Sequence, residues 1–269
     1  EVTLARCDAL TAACAKAGVT VAGILPRRFG SGAVALKAAL DAGRFGQLTL
    51  AGALIPWWRT QAYYDSAAWR GTFALDGGGA TMNQGIHTID LLLWFLGAPK
   101  RVSATAGLVA HAGIEVEDIA TGWIEFANGC RATLASSTAC WSATGFPAEI
   151  RIHGTTGAAV LRDDKLTAFE FEKPLPSDAS VIAPATEGGG AGANDPKAIG
   201  HAWHRSNLEE AIAAIRAGKQ PAVNGAEGRK AVELILALYQ SAQAGGVPVE
   251  LPLATDPILL PLGKKTALP

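Results

Sequence analysis

The apolar pattern of this chain changes period once, near Gly97, and that change limits the folds open to it. Before it, Met82, Ile86, Ile89, Leu93 and Leu96 recur at helical spacing, and Gly97 stops the run. After it, residues 101–110, 116–126 and 130–138 alternate apolar and polar positions, as half-buried strands do. Asn128-Gly129 between the last two is a hairpin signal. Residues 150–153, 158–161 and 166–171 continue the alternation, with turns at Gly154-Thr155-Thr156-Gly157 and Arg162-Asp163-Asp164-Lys165. A broad antiparallel sheet of about six or more strands is expected.

The 269 residues can hold one large or two ordinary domains, and 49% of them are hydrophobic. Lys plus Arg number 23 against 24 Asp plus Glu, so no broad field points to nucleic acid or to an acidic surface, and a small-molecule role fits better. Cys7, Cys14, Cys130 and Cys140 form no C-x-x-C pair and read as small apolar residues of a reducing compartment. No run of about 18 apolar residues is free of charges and breakers, and the start lacks the plan of a signal peptide. The expectation is a cytoplasmic protein with no membrane partner.

At the start, Thr3 can cap a helix carrying Leu4, Cys7, Leu10 and Cys14 on one side, with Gly18 as its stop. Residues 19–25 read as a buried strand, so the first segment resembles the last helix–strand unit of an α/β sheet whose earlier strands are not here. Gly30-Ser31-Gly32-Ala33-Val34-Ala35 formally fits G-x-G-x-x-A. It is read as the ordinary start of a helix, because Pro26 to Phe29 separate it from the strand and the next strand, residues 47–55, ends without an acid. Trp57, Trp58, Tyr63, Tyr64 and Trp69 then crowd together with Arg59 and Arg70, a mixture that suits sugars and flat cofactor rings and equally suits a core cluster.

The chemistry concentrates between Trp69 and Gly97. Gly77, Gly78 and Gly79 let main chain approach a ligand closely, and Asn83 and His87 follow one turn apart on one helix face, a place for acid–base work. A histidine with ordinary hydrogen bonds near a helix start is the plainer reading of His87. His87 with Asp90 lacks a third ligand, too few for zinc. His111, His153 and His201 have no supporting pattern. Residues 174–201, with Gly188-Gly189-Gly190, read as a loop. Ser206-Asn207-Leu208-Glu209 reads as a capping box opening a helix with Leu208, Ile212 and Ile215 inward and Gly218 as its stop. A second helix over 226–244 faces Val232, Ile235, Leu236 and Tyr239 inward, and a proline-rich tail follows.

The run W-R-G-T-F-A-L-D-G-G-G-A-T-M-N-Q-G-I-H-T-I-D resembles the glucose–fructose oxidoreductase and inositol dehydrogenase (Gfo/Idh/MocA) family. Arg28-Phe29, Gly43-Arg44-Phe45-Gly46 and the segment H-R-S-N-L-E-E-A-I-A-A-I-R-A-G-K-Q-P-A-V-N-G-A-E-G-R-K-A-V-E-L extend the likeness over most of the chain in the same order. The resemblance implies an α/β protein: a C-terminal body with a large, open, mostly antiparallel sheet and helices on one face, preceded by the last helix–strand unit of a Rossmann domain. Residues 1–28 would be the remnant of the dinucleotide-binding domain and residues 29–269 the substrate-binding and oligomerising domain. The family's glycine motif and its E-K-P lysine would precede residue 1, so the chain by itself is expected to be inactive. Glu172-Lys173-Pro174 follows His87 and ends a strand, out of place for that motif.

By the same resemblance His87 is the catalytic histidine, and Asn83 stands where an aspartate is frequent, able to orient a hydroxyl but not to take its proton. Trp69 and Arg70 would approach the cofactor, NAD or NADP. Arg59, Tyr63, Tyr64 and His204 would meet a sugar, cyclitol or sugar-derivative substrate, and the open sheet face would pair copies into a homodimer or homotetramer. Two other readings stay open: a sugar-binding or dimerising module without catalysis, and a metal-dependent sugar isomerase using His87.

Overall fold

The computed structural model describes residues 1–163, 165–182 and 200–265. Its centre is an eight-stranded sheet built from β1 (Leu48–Pro56), β2 (Pro99–Gly107), β3 (Ile119–Phe126), β4 (Arg131–Ser137), β5 (Glu149–Gly154), β6 (Gly157–Arg162), β7 (Lys165–Phe171) and β8 (Val249–Glu250). The order across it is β7-β6-β5-β1-β4-β3-β2-β8. Only β1 and β4 run parallel; every other pairing is antiparallel. The Asn128-Gly129 turn forms, with Gly129 at φ +88° and the Asn128 side chain accepting the Cys130 amide at 3.0 Å.

Alternation decides which face is covered. On β1, Ala51, Ala53 and Ile55 are buried while Leu50 and Leu54 on the other face are exposed. Helices α4 (Ile86–Leu96) and α7 (Gly225–Gln243) lie on the covered face, where Ile89, Leu92, Leu234 and Ile235 meet Ile124, Leu134 and Ile152 in one core. Each such side chain, removed from water, contributes roughly 1.5–3 kcal/mol. Asn224 caps α7 through the Glu227 amide, and Val232, Ile235, Leu236 and Tyr239 point inward as the spacing requires.

Four expectations give way. The first helix, α1 (Leu4–Lys16), forms with Thr3 as its cap, but Leu10 is exposed and residues 19–25 form no strand. A strand exists only by pairing, and here the Gly23 amide goes to the Val223 carbonyl and the Leu25 amide to the Asn207 side chain. The helix expected from Ser206 starts earlier, as α6 (Ala202–Arg216); Ser206 lies inside it and donates to the Ala202 carbonyl. Its inward side is Asn207 and Ala211, so Leu208, Ile212 and Ile215 face outward. The stretch expected as loop from 174 holds a short helix, α5 (Asp178–Ile182), tied by a paired Arg44–Asp178 contact of 2.7 and 2.8 Å; the triglycine at 188–190 lies outside the described residues. Gly30 caps α2 (Ser31–Asp41), an ordinary helix start as expected, and the strand that follows, β1, lies inside the mostly antiparallel sheet.

Candidate active site

The parallel pair β1/β4 organises the site because both strands end on the same side. Beyond them the Trp57 amide donates to the Ser137 carbonyl and the Arg59 amide to the Thr138 carbonyl, which extends the pairing into the aromatic stretch. Thr60 then caps α3 (Gln61–Asp65), which carries Tyr63 and Tyr64. The expected helix after the glycines is a single π-helical turn over Ala80–Gln84 followed by α4, and α4 sets His87 at its second position.

Tyr63, Arg70 and Asn83 meet in one polar network. The Tyr63 hydroxyl accepts from Arg70 Nη1 at 2.7 Å and from Gln84 Nε2 at 3.1 Å, and donates to Asn83 Oδ1 at 3.1 Å. Gln84 Nε2 also donates to Asn83 Oδ1 at 2.7 Å, and Asn83 Nδ2 donates to Asp76 Oδ1 at 2.7 Å. Asn83 therefore already accepts two hydrogen bonds and donates one within the protein. Burial pushes the Asp76 carboxyl up, against the pull of the Gly71 amide and Asn83. Arg70 lies 4.2 Å from the Tyr63 ring centre and 4.4 Å from that of Trp69, whose outer face is exposed.

His87 and His204 form the second group, from α4 and α6. Each has an enclosed Nδ1 with no hydrogen-bond partner. Burial, with the charge of Arg27 and the nearby His204, pushes the His87 imidazole down to about 4, so it is neutral near pH 7. Arg27 donates to Thr88 Oγ1 at 3.2 Å and lies 5.8 Å from the Trp57 ring centre. Arg59, buried between the Trp57 and Tyr63 rings at 5.4 and 5.5 Å, donates to the Trp58 carbonyl at 2.8 Å, and burial holds its guanidinium below the ordinary arginine value.

Tyr64 stands apart. It is 2% exposed, bonds Thr138 Oγ1 at 2.7 Å and packs on Ile114 and Val116, so the structure places it in a small core instead of at a ligand surface. The glycines also approach something other than a ligand: a Cβ at Gly79 would lie 1.7 Å from the Glu117 carbonyl oxygen. Asp90 is held by Arg28, and among the described residues no three His, Cys, Asp or Glu side chains gather as metal ligands.

Sequence reasoning missed Asp76, Gln84, Arg27, Glu117 and the pair His111–Asp118. His111 Nδ1 lies 2.9 Å from Asp118 Oδ2, and its Nε2 lies 2.8 Å from the Arg59 carbonyl. The signal for the last three was two consecutive acids at the start of an alternating apolar segment, a place where a carboxylate must find partners.

With this geometry in place, comparison with known proteins identifies the fold. The family model for the GFO/IDH/MocA C-terminal domain matches residues 33–160. The chain carries that domain and belongs to the Gfo/Idh/MocA family. The Gfo/Idh/MocA chain is similar to the WlbA dehydrogenase from Bordetella pertussis, solved with NADH and UDP-GlcNAcA, at 27% identity and TM-score 0.83 over 94% of this chain and 70% of that one. It is similar to the WlbA dehydrogenase from Chromobacterium violaceum, solved with the same two ligands, at 30% identity and TM-score 0.76 over 90% of this chain and 66% of that one. The chain thus spans about two thirds of each. Aldose-aldose oxidoreductase from Caulobacter crescentus shares the fold, at 22% identity and TM-score 0.73 over 93% of this chain and 69% of that one. No curated protein sequence matches. No helix among the described residues is long and apolar enough to cross a membrane.

Proposed function

We propose that this chain forms the substrate side of a nicotinamide-dependent oxidoreductase that moves hydride between NAD or NADP and a hydroxyl-bearing carbon of a sugar, cyclitol or sugar derivative. The observation that carries the reading is His87: an enclosed, neutral imidazole next to Arg27 and His204, in a chain 30% identical to a dehydrogenase solved with NADH and a nucleotide sugar. A neutral imidazole can hold the proton of a substrate hydroxyl in either direction of the reaction. Arg59, Tyr63 and His204 line the approach with donors and aromatic faces that suit a polyol, and Arg70 against Trp69 offers a flat cationic surface to a cofactor ring.

The residues present fit the nicotinamide end of such a cofactor: the unpartnered Nδ1 atoms of His87 and His204 call for a polar group that the protein itself does not supply. Nicotinamide, when bound, supplies the hydride acceptor. The described residues hold no glycine turn between a parallel strand and a helix, so the pyrophosphate is assigned to a separate dinucleotide-binding domain, with residues 1–28 on that side and residues 29–269 forming the substrate domain. The outward Val19 and Ile24, and the Leu208, Ile212 and Ile215 face of α6, are apolar surfaces such a domain would cover. The open sheet face is assigned to a second copy of the chain.

The test is nicotinamide reduction by the native enzyme with UDP-sugar acids and free polyols, followed by absorbance. The expected result is substrate-dependent reduction that falls by about 100-fold or more in His87→Ala. Full activity in that variant, or none with any sugar in the wild type, overturns the reading.

A further inference from the structure

Glu117 is a buried acid that the proposed chemistry does not use, and it lies two residues before β3. Its Oε2 accepts the Gly79 amide at 2.9 Å and its Oε1 accepts the Thr81 amide at 2.8 Å. Its own carbonyl accepts the amide between them, Ala80, at 3.2 Å. The Tyr239 hydroxyl, from the C-terminal part of α7, donates to Oε1 at 2.9 Å. The first amides of a helical segment have no acceptor within it, and here one residue just before β3 takes three in succession.

From that anchor the backbone runs without a break to His87. The π-helical turn closes through Asn83 amide to Gly79 carbonyl at 2.8 Å and Gly85 amide to Ala80 carbonyl at 2.8 Å, and α4 begins at once with Ile89 amide to Gly85 carbonyl at 2.9 Å. No side chain fits at Gly79, where the Glu117 carbonyl occupies the space, or at Gly85, where a Cβ would lie 2.6 Å from the Thr81 carbonyl. These main-chain hydrogen bonds join the turn to α4, so a shift at the start of the turn is carried toward His87.

We infer that Glu117, held by Tyr239, is a positioning residue that fixes where His87 sits relative to Arg27 and His204. Its side-chain contacts are to donors without charge, the Gly79 and Thr81 amides and the Tyr239 phenol, and a carboxylate's two oxygens have acceptor positions for all three. Burial pushes the Glu117 carboxyl up while those donors pull it down. The consequence for hydride transfer rests on the reading of His87 above; the positioning does not.

The experiment follows the His87 ring nitrogens by NMR as a function of pH, in the full chain and in Glu117→Gln, Glu117→Asp and Tyr239→Phe, with circular dichroism as the folding control. In Glu117→Gln an amide NH2 faces a main-chain donor, the turn shifts, and the His87 titration moves from about 4 toward the ordinary 6.5. Glu117→Asp, which keeps an acceptor, moves it less, and Tyr239→Phe moves it in the same direction. A folded Glu117→Gln with an unmoved His87 overturns the inference. If Glu117→Gln does not fold, Tyr239→Phe decides, and an unmoved His87 there overturns it. Should His87→Ala keep full activity, the functional reading falls while the titration result stands.

Discussion

Arg28 grips Asp90 through two hydrogen bonds, Nε to Oδ2 at 2.9 Å and Nη2 to Oδ1 at 2.6 Å, with both side chains buried one helical turn beyond His87. Glu227 on α7 takes the remaining Nη1 at 3.0 Å. The pair ties the turn Pro26–Phe29 to α4 and α7, the elements on either side of the candidate site. Asp90→Asn leaves a buried guanidinium short of its main partner, which costs about 3–5 kcal/mol. Urea unfolding of the variant checks this; a loss under about 1 kcal/mol contradicts the role given to the pair.

His111 supplies a pH dependence. Both ring nitrogens face acceptors, Asp118 and the Arg59 carbonyl, so both hydrogen bonds are made only by the imidazolium. Burial lowers the His111 value, but those two partners outweigh it and the net direction is up. A group with a raised folded value stabilises fully below its unfolded value, about 6.5, and that contribution is lost as pH rises through the folded value. The stability difference between wild type and His111→Gln is expected to be largest in mild acid and to shrink through neutral into alkaline pH, as measured by denaturant midpoints. A difference that grows with pH refutes it.

Asn83→Asp, a change toward the residue frequent in the family, is expected to destabilise this chain. It replaces the donor that Asp76 accepts at 2.7 Å with a second carboxylate. The cost at neutral pH is about 1–3 kcal/mol, and it diminishes in acid as the new pair takes up a proton. The double variant Asp76→Asn with Asn83→Asp restores a donor–acceptor pair and most of the stability. Thermal unfolding of the three variants forms the cycle.

Two glycine substitutions are expected to differ in sign. Gly79→Ala drives a methyl into the Glu117 carbonyl and costs several times the roughly 1–3 kcal/mol of ordinary overpacking, since backbone cannot give way as a side chain can. Gly228, inside α7 with nothing near its added Cβ, gains about 0.5–1 kcal/mol on change to Ala. Calorimetric midpoints separate the two.

The open sheet face has exposed Leu50, Leu54 and Trp123 around a depression of about 680 Å³ lined by Gly52, Thr121 and Thr133. If a second copy covers it, sedimentation of the wild type gives a dimer or tetramer, and Leu54→Lys with Trp123→Lys gives a folded monomer. A wild type that sediments as a monomer contradicts the assignment.

Much of the sheet was legible because alternation is a local signal. Ala51, Ala53 and Ile55, or Ile150 and Ile152, announce a half-buried strand without reference to any partner. Helices whose apolar stripe meets the core, α4 and α7, were legible for the same reason. The capping box at Ser206 misled because α6 packs through Asn207, whose side chain serves Leu25 and Gly23, and no pattern within the helix records that.

The residue types around the site, His87 on a helix behind a glycine turn and aromatics beside Arg59 and Arg70, were determined by sequence alone. Which of them meet was decided only by tertiary structure. Tyr63 joined Asn83 while Tyr64, its neighbour in sequence, turned into the core, and Glu117, 38 positions from Gly79, became the anchor of the turn. A periodic apolar run reports its own burial, because burial of a face needs only some apolar surface opposite it. A buried polar group needs one particular donor or acceptor within hydrogen-bond distance, and that partner is fixed by how distant segments pack.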